Sequence, residues 1–237
     1  FVPQSRPRLF VIGLRSDEPT MSPIPDLDVS RLRPNAVQKF LRNRSGLLLG
    51  ALEFPEPPSA GEDSLVDLLE DVPAGDSIWW PAVKTNSLIQ SMHERHRSRI
   101  ENLGQNGNAC SGTIYRRVRG GRTVGEIRTD GVAGCLRTPM GGSSVQFLAQ
   151  RTGDEIRIRR MTGREYARLQ GVDDGYPIQV SDRQAMLGFG DAVCVPAVAW
   201  LAKHAFGHLM ADSDVTVEDS MAAQEPPRRE ANPSGAV

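Results

Sequence analysis

The chain has 237 residues and a mass of 25.9 kDa, a length open to one large domain or two small ones at roughly 150 residues per domain. Its 39% hydrophobic and 24% charged residues are ordinary for a globular protein. No apolar run approaches the roughly 20 residues needed to span a bilayer, so a membrane protein is excluded, and a formal net charge of −1 argues at first against a nucleic-acid partner.

In chain order, Leu9–Gly13 (LFVIG) is a continuous apolar run that predicts a strand buried on both faces in an α/β sheet. Residues 17–34 carry four prolines and read as a loop. A helical stretch over Ala36–Leu52 ends at EFPEPPSAGED, a linker that cannot continue a helix. Ser64–Glu70 predicts a short amphipathic helix and Ser87–Leu103 a longer one. Thr113–Arg119 and Arg122–Arg128 flank Gly120-Gly121, a two-residue loop that closes hairpins because both positions tolerate positive φ. A second strand pair, Val145–Gln150 and Glu155–Arg160, is joined through Thr152-Gly153-Asp154. Thr162-Gly163-Arg164-Glu165 and Ser181-Asp182-Arg183-Gln184 are capping boxes, with Gly171 as a stop signal. Pro196 opens a last helix whose Val198, Leu201, Ala202, Ala205 and Leu209 recur at helical spacing, so it is expected to pack firmly. The tail from Ala211 is acidic and rich in Ser, Ala and Pro, and is expected to be disordered.

Resolved by segment, the net charge is a cancellation of blocks. Residues 31–50 sum to +5 and 51–80 to −8; residues 93–128 sum to +5 and 151–170 to +3. Each basic block is either a solvated face or part of a groove, and composition does not separate the two. Cys110, Cys135 and Cys194 lie far apart with no CxxC pair, as expected of free thiols in a reducing cytosol and not of a zinc site. His204 and His208 stand four residues apart, but no third metal ligand is apparent.

Three patterns in fixed order carry chemistry. In Val2-Pro3-Gln4-Ser5-Arg6-Pro7-Arg8, alternate residues of an extended segment face one way, so Gln4, Arg6 and Arg8 can converge on one acceptor-rich ligand. An arginine there offers a fixed donor fork to a carbonyl or phosphate oxygen, the plain alternative being surface arginines before a strand. The second pattern runs from Arg160 through Thr162, Glu165 and Gln170 to Gly171, and the third is Gly188-Phe189-Gly190-Asp191-Ala192-Val193-Cys194-Val195-Pro196.

This ordered set resembles the C-terminal half of the DNA cytosine-5 methyltransferases: QxRxR is similar to their eighth motif, RxxTxREYARLQG to their ninth and GDAVxVPA to their tenth. Gly131–Ser144 resembles the core of their target-recognition domain. The resemblance implies an α/β chain, the C-terminal part of a Rossmann-like S-adenosylmethionine-dependent methyltransferase domain with an inserted, β-containing recognition domain. It implies residues 1–27 as the end of the catalytic domain, 28–160 as the recognition domain, 161–210 as hinge and return, and 211–237 as the tail. It also implies a reaction on double-stranded DNA. A cytosine is flipped from the duplex, a cysteine thiolate adds to C6, a glutamic acid protonates N3, and C5 takes the methyl of S-adenosyl-L-methionine.

Carried onto this sequence, Arg8 bonds the cytosine O2 with Arg6 and Gln4 supporting the pocket. Asp191, Ala192 and Val193 lie against the cofactor, and Arg160 and Thr162 brace the hinge. Position 191 holds Asp where the family most often has Asn. Arg116, Arg117, Arg119 and Arg122 around the hairpin turn, with Arg137, Gly141, Gly142, Ser143 and Ser144, are the expected DNA contacts. No cysteine here follows a proline, and the family's glycine-rich, Pro-Cys and Glu-Asn-Val motifs do not occur. The start at Phe1 is expected to fall inside a longer whole, with the nucleophile half upstream on the same polypeptide or on a partner subunit. A non-catalytic DNA-binding remnant is the alternative, and a scaffold docking proteins through its acidic segments a remoter one. No membrane partner is implied, and the expected location is the cytoplasm, on a bacterial-type nucleoid.

Overall fold

Gly120 and Gly121 have φ of 55° and 76°, the double positive-φ turn that matches the twist of two antiparallel strands. It joins β1 (Ser111–Arg119) to β2 (Arg122–Arg128), with Arg119 opposite Arg122. A computed structural model describes residues 1–12, 30–44, 54–58, 64–105, 107, 109–138 and 145–206. The second hairpin, β3 (Phe147–Thr152) and β4 (Glu155–Arg160), turns at Gly153, whose φ is 60°. β1 and β3 pair antiparallel, so the sheet has the order β2-β1-β3-β4. The chain is thus mixed α/β around an antiparallel sheet.

Both faces of this sheet are covered. On one, Ile114, Ile127, Phe147, Ala149 and Ile158 pack with Met92, Ile100 and Leu103 from the helices before β1. On the other, Leu148 joins Leu65, Ala133, Leu136, Met161, Tyr166, Leu169 and Met186. This second core includes residues on both sides of position 160, so the segment after β4 folds directly onto the sheet.

The helices follow their local signals with three differences. α1 (Asn35–Arg42) begins as expected, although residues 45–53 lie outside the described region. The Ser64–Glu70 segment is a single 3-10 turn over Leu65–Leu68, capped reciprocally by Ser64 and Asp67. In place of one helix over Ser87–Leu103 there are two, α2 (Ala82–Ser91) and α3 (Glu94–Glu101). The break is at Met92, which is extended (ψ 146°) and 3% exposed. Burying its side chain in the sheet's core outweighs the few helical bonds lost. His93 then restarts the chain, its Nδ1 accepting from the Arg95 amide at 3.4 Å.

The capping boxes at Thr162 and Ser181 start α4 (Gly163–Arg168) and α5 (Asp182–Asp191), and Gly171 has the expected left-handed φ of 73°. α6 (Val195–Leu201) carries Pro196 in its first turn but has no buried residue, contrary to the firm packing expected of it. Its anchor is Trp200, whose ring lies 5.9, 5.6 and 5.0 Å from those of Phe1, Phe54 and His204. Asp182–Ala205 is long and apolar enough by length and composition to cross a membrane, which corrects the statement that no such run exists. Its backbone nonetheless breaks at Ala192, extended at φ −58° and ψ 164° between α5 and α6.

The strand predicted at Leu9–Gly13 is absent over its described part, Leu9–Ile12. Leu9 and Val11 are 75% and 81% exposed, because no strand among the described residues pairs with this segment. The acidic tail lies outside the described residues, as do Gly141, Gly142, Ser143, Ser144 and His208.

Candidate functional site

Four stretches distant in sequence meet in one seam: residues 3–8, 133–138, 169–171 and 189–195. The extended segment at the amino terminus lies beside Ala133 as a one-residue parallel bridge. The Ser5 amide donates to Ala133 O at 2.9 Å and the Ala133 amide to Pro3 O at 2.8 Å. From this rail Gln4 reaches both ways, its Nε2 donating to Leu169 O at 2.6 Å and its Oε1 accepting from the Leu136 amide at 3.4 Å.

Arg6 ties two loops together. Its Nη1 donates to Leu136 O at 2.8 Å and to Gly190 O at 2.9 Å. Burial, then the like charge of Arg8, holds its pKa below the usual arginine value, with Cys135, Asp191 and Cys194 acting against this. Arg8 differs. Its Nη1 donates to its neighbour Pro7 O at 2.8 Å, its Nη2 stands 3.9 Å from Cys135 Sγ, and the residue is exposed. The three side chains expected to converge on one ligand therefore divide: Gln4 and Arg6 hold backbone carbonyls, and Arg8 keeps donor capacity for a ligand.

Gly190 is required by the closeness of the two loops. A Cβ there would stand 2.7 Å from the carbonyl of Arg137 and from the Thr138 nitrogen. Next to it the Thr138 hydroxyl donates to Asp191 Oδ1. Ala192 caps α5, and Val193 is 47% exposed. Gln170 completes the seam, its Nε2 donating to Phe189 O at 2.6 Å and Ala192 O at 3.3 Å while its backbone carbonyl accepts from the Val195 amide at 2.8 Å. A cavity of about 820 Å³ borders the seam, walled by Phe1, Phe10, Val193 and Trp200 with Arg6 and Arg8 in its lining.

Of Arg160 and Thr162, expected to brace a hinge, Arg160 is exposed and Thr162 buried, and beside them lies a buried ion pair. Arg159 and Glu165 are both fully buried, with Nη2 to Oε1 at 2.5 Å and Nη1 to Oε2 at 2.8 Å. Glu165 also accepts from the Thr162 amide at 2.8 Å and the Glu70 amide at 3.0 Å, so its lone pairs are filled. Thr162 accepts from the Glu165 amide at 3.1 Å and donates to Glu70 Oε2. The sequence pattern identifies Glu165 as a capping residue. Its pairing with Arg159 carries no spacing signal, since the strand residue and the helix residue meet only after β4 docks on α4.

On the hairpin, Arg117 and Arg119 lie over Glu126. Arg119 Nη2 is 2.9 Å from Oε1 and Arg117 Nε is 3.5 Å from Oε2, with both arginine side chains more than half exposed. Burial raises the Glu126 pKa, but hydrogen bonds from Arg119 and Tyr115 and the charges of Arg119 and Arg117 outweigh it and hold the carboxyl low. Arg122 and Arg137 are exposed, and Arg116 is half-buried with its guanidinium 4.8 Å from the centre of the Phe147 ring. Among the described residues no group of three His, Cys, Asp or Glu is arranged to hold a metal ion.

A sequence profile of the C-5 cytosine-specific DNA methylase family matches residues 2–207. Over 41 residues the chain is 58% identical to the type II methyltransferase M.HpaII of Haemophilus parainfluenzae, covering 17% of this chain and 12% of that protein. Over 56 residues it is 46% identical to the type II methyltransferase M.NlaX of Neisseria lactamica, covering 24% of this chain and 18% of that protein. These matches span less than a fifth of each relative's length.

Proposed function

The chain belongs to the C-5 cytosine-specific DNA methylase family, and on that premise we propose that it forms the pocket-closing and DNA-recognition part of a cytosine-5 methyltransferase. The observation that carries this reading is the Arg6 clamp. One guanidinium, donating to Leu136 O and Gly190 O, fixes the first motif to the loop entering the recognition segment and to the third motif. Arg8, held among the described residues only by its own neighbour's carbonyl and a weak contact to Cys135, is the donor for the O2 of a flipped cytosine. Arg6 and Gln4 position it.

Asp191 and Val193 suit a cationic cofactor with an aromatic base. Val193 lines the apolar cavity, and Thr138 occupies only Oδ1 of Asp191, which leaves Oδ2 as an acceptor. S-adenosyl-L-methionine, when bound, supplies the methyl group. The hairpin arginines and the Arg137–Ser144 segment approach duplex DNA, in the cytoplasm and in a restriction-modification setting like that of the type II relatives.

The nucleophile comes from outside residues 1–237, on the same polypeptide or on a partner subunit. None of Cys110, Cys135 and Cys194 follows a proline. In this reading residues 1–27 and 161–210 complete the catalytic domain and 28–160 form the recognition domain. The test is methyl transfer from labelled S-adenosylmethionine to duplex DNA, by this chain alone and after mixing with a segment that carries the Pro-Cys motif. The expected result is none alone and transfer on mixing. Transfer by the isolated chain would overturn the assignment of the nucleophile, and no transfer in either case would leave the DNA-binding remnant as the better reading.

A further inference from the structure

We propose that Lys84, over the Trp80 ring, Arg116, over the Phe147 ring, and Arg160, opposite Phe147 in the ladder, form a phosphate-binding site for the DNA backbone; the DNA source rests on the function proposed above. In the β3–β4 ladder Phe147 is opposite Arg160, and in the β1–β3 ladder it is opposite Ile114. Arg116 is two residues on from Ile114, so Phe147, Arg160 and Arg116 project from the same face of the sheet. Trp80 closes on this face, its amide donating to Ile158 O at 2.8 Å and its ring meeting that of Phe147 edge-on at 4.8 Å. Lys84, in the first turn of α2, sets its Nζ 3.9 Å from the centre of the Trp80 ring, while Arg116 lies over Phe147.

The three cations have no carboxylate partner among the described residues, unlike Arg117 and Arg119 on the opposite face. Arg116 Nε is buried with no hydrogen-bond acceptor among the described residues. Burial, then the charges of Arg160 and Arg116, hold the Lys84 ammonium below the ordinary lysine range. Like charges sharing one face repel, and ring faces offset only part of that repulsion. A compact oxyanion would relieve it and supply the missing acceptors. The ligand is therefore a phosphate oxyanion.

The experiment uses the full 237-residue chain. Duplex DNA binding is followed by anisotropy across a salt series, and Trp80 by its fluorescence, with Trp80→Phe identifying its share of the signal. Lys84 and Arg160 are exposed, so Lys84→Ala/Arg160→Ala is expected to keep the wild-type circular dichroism and melting temperature. It should lower the log–log salt slope by about two, one for each phosphate contact removed. Lys84→Arg/Arg160→Lys should restore it. Duplex should perturb Trp80 emission saturably, whereas inorganic phosphate alone should do so only at far higher phosphate concentration. An unchanged slope in the Ala pair, with wild-type protein still binding duplex, overturns the site and leaves the DNA reading standing. Equal potency of inorganic phosphate overturns DNA as the ligand, and no duplex binding by the wild-type chain overturns both readings.

Discussion

Arginine does opposite work in two parts of this molecule. In the seam and beside it, Arg6 and Arg159 have their Nη groups held by protein, Arg6 Nη1 by two backbone carbonyls and Arg159 Nη1 and Nη2 by Glu165 in a site with no exposure, while the Nε of each is without a partner among the described residues. Across the sheet, Lys84 and Arg116 stand over aromatic rings with Arg160 opposite Phe147 in the ladder, and the three meet no carboxylate among the described residues. An arginine whose terminal Nη donors are held by protein acceptors fixes geometry. One left over a ring, with acceptors missing, is available to an anion from outside. Removing an arginine should therefore cost stability in the first region and ligand affinity in the second.

The largest effect is expected at the buried pair. Glu165→Ala strands Arg159, whose Nε already lacks a partner, in a fully buried site and also removes the acceptor for the Thr162 and Glu70 amides. Breaking such a pair costs about 3–5 kcal/mol. Replacing both members, as Arg159→Met with Glu165→Leu, should cost clearly less because no charge is left unpaired. Denaturant unfolding of the two variants checks this. If the double variant is as unstable as Glu165→Ala, the charge pairing is not what holds the start of α4 to β4.

A smaller loss is expected at Gly171, where three stretches of the seam meet. Its φ of 73° disfavours a side chain, and a Cβ would stand 2.3 Å from Pro196 Cδ and 3.4 Å from Val2 Cγ1. Gly171→Ala should then cost about 1–3 kcal/mol through overpacking and backbone strain. Because the clash pushes the start of α6 from the end of α4, intrinsic Trp200 fluorescence should shift along with the melting temperature. A lower melting temperature with unchanged Trp200 emission would place the damage in α4 alone.

Much of the fold can be read from local chemistry. The Gly120-Gly121 and Gly153 turns, the two capping boxes and Pro196 all announce their elements, because each acts within about five residues. Three features depend on distant partners and have no local signature. Met92 breaks a helix because the sheet offers it a core. Leu9–Ile12 stays out of strand for want of a neighbouring strand among the described residues. α6 is held by one tryptophan and not by its apolar stripe. The site divides in the same way. Gln4, Arg6 and Asp191 belong to recognisable motifs, whereas Thr138 is revealed only by the closeness of Gly190 to its loop. Lys84 belongs to no motif, and it joins Arg116 and Arg160 only through strand register and the packing of α2.

Glu126 offers the finest test of the contrast between satisfied and unsatisfied arginines, because it sits between the two cases. Its carboxyl is mostly buried, but Arg117 and Arg119 above it are open to solvent, so the pair contributes at most about 1 kcal/mol after screening. The hydrogen bonds and charges that outweigh burial hold its folded pKa below the unfolded value. That contribution is therefore complete above the ordinary glutamate pKa near 4.3 and disappears as the pH falls through the lower folded value. Glu126→Gln should be slightly less stable than wild type at pH 7, and the difference should close as the pH falls through that folded value. The same substitution releases Arg117 and Arg119, so duplex affinity at low salt should rise modestly and the salt slope steepen. If stability falls but the slope does not change, those two arginines serve the hairpin and not the DNA, and the ligand-directed charge of this chain lies with Lys84, Arg116 and Arg160.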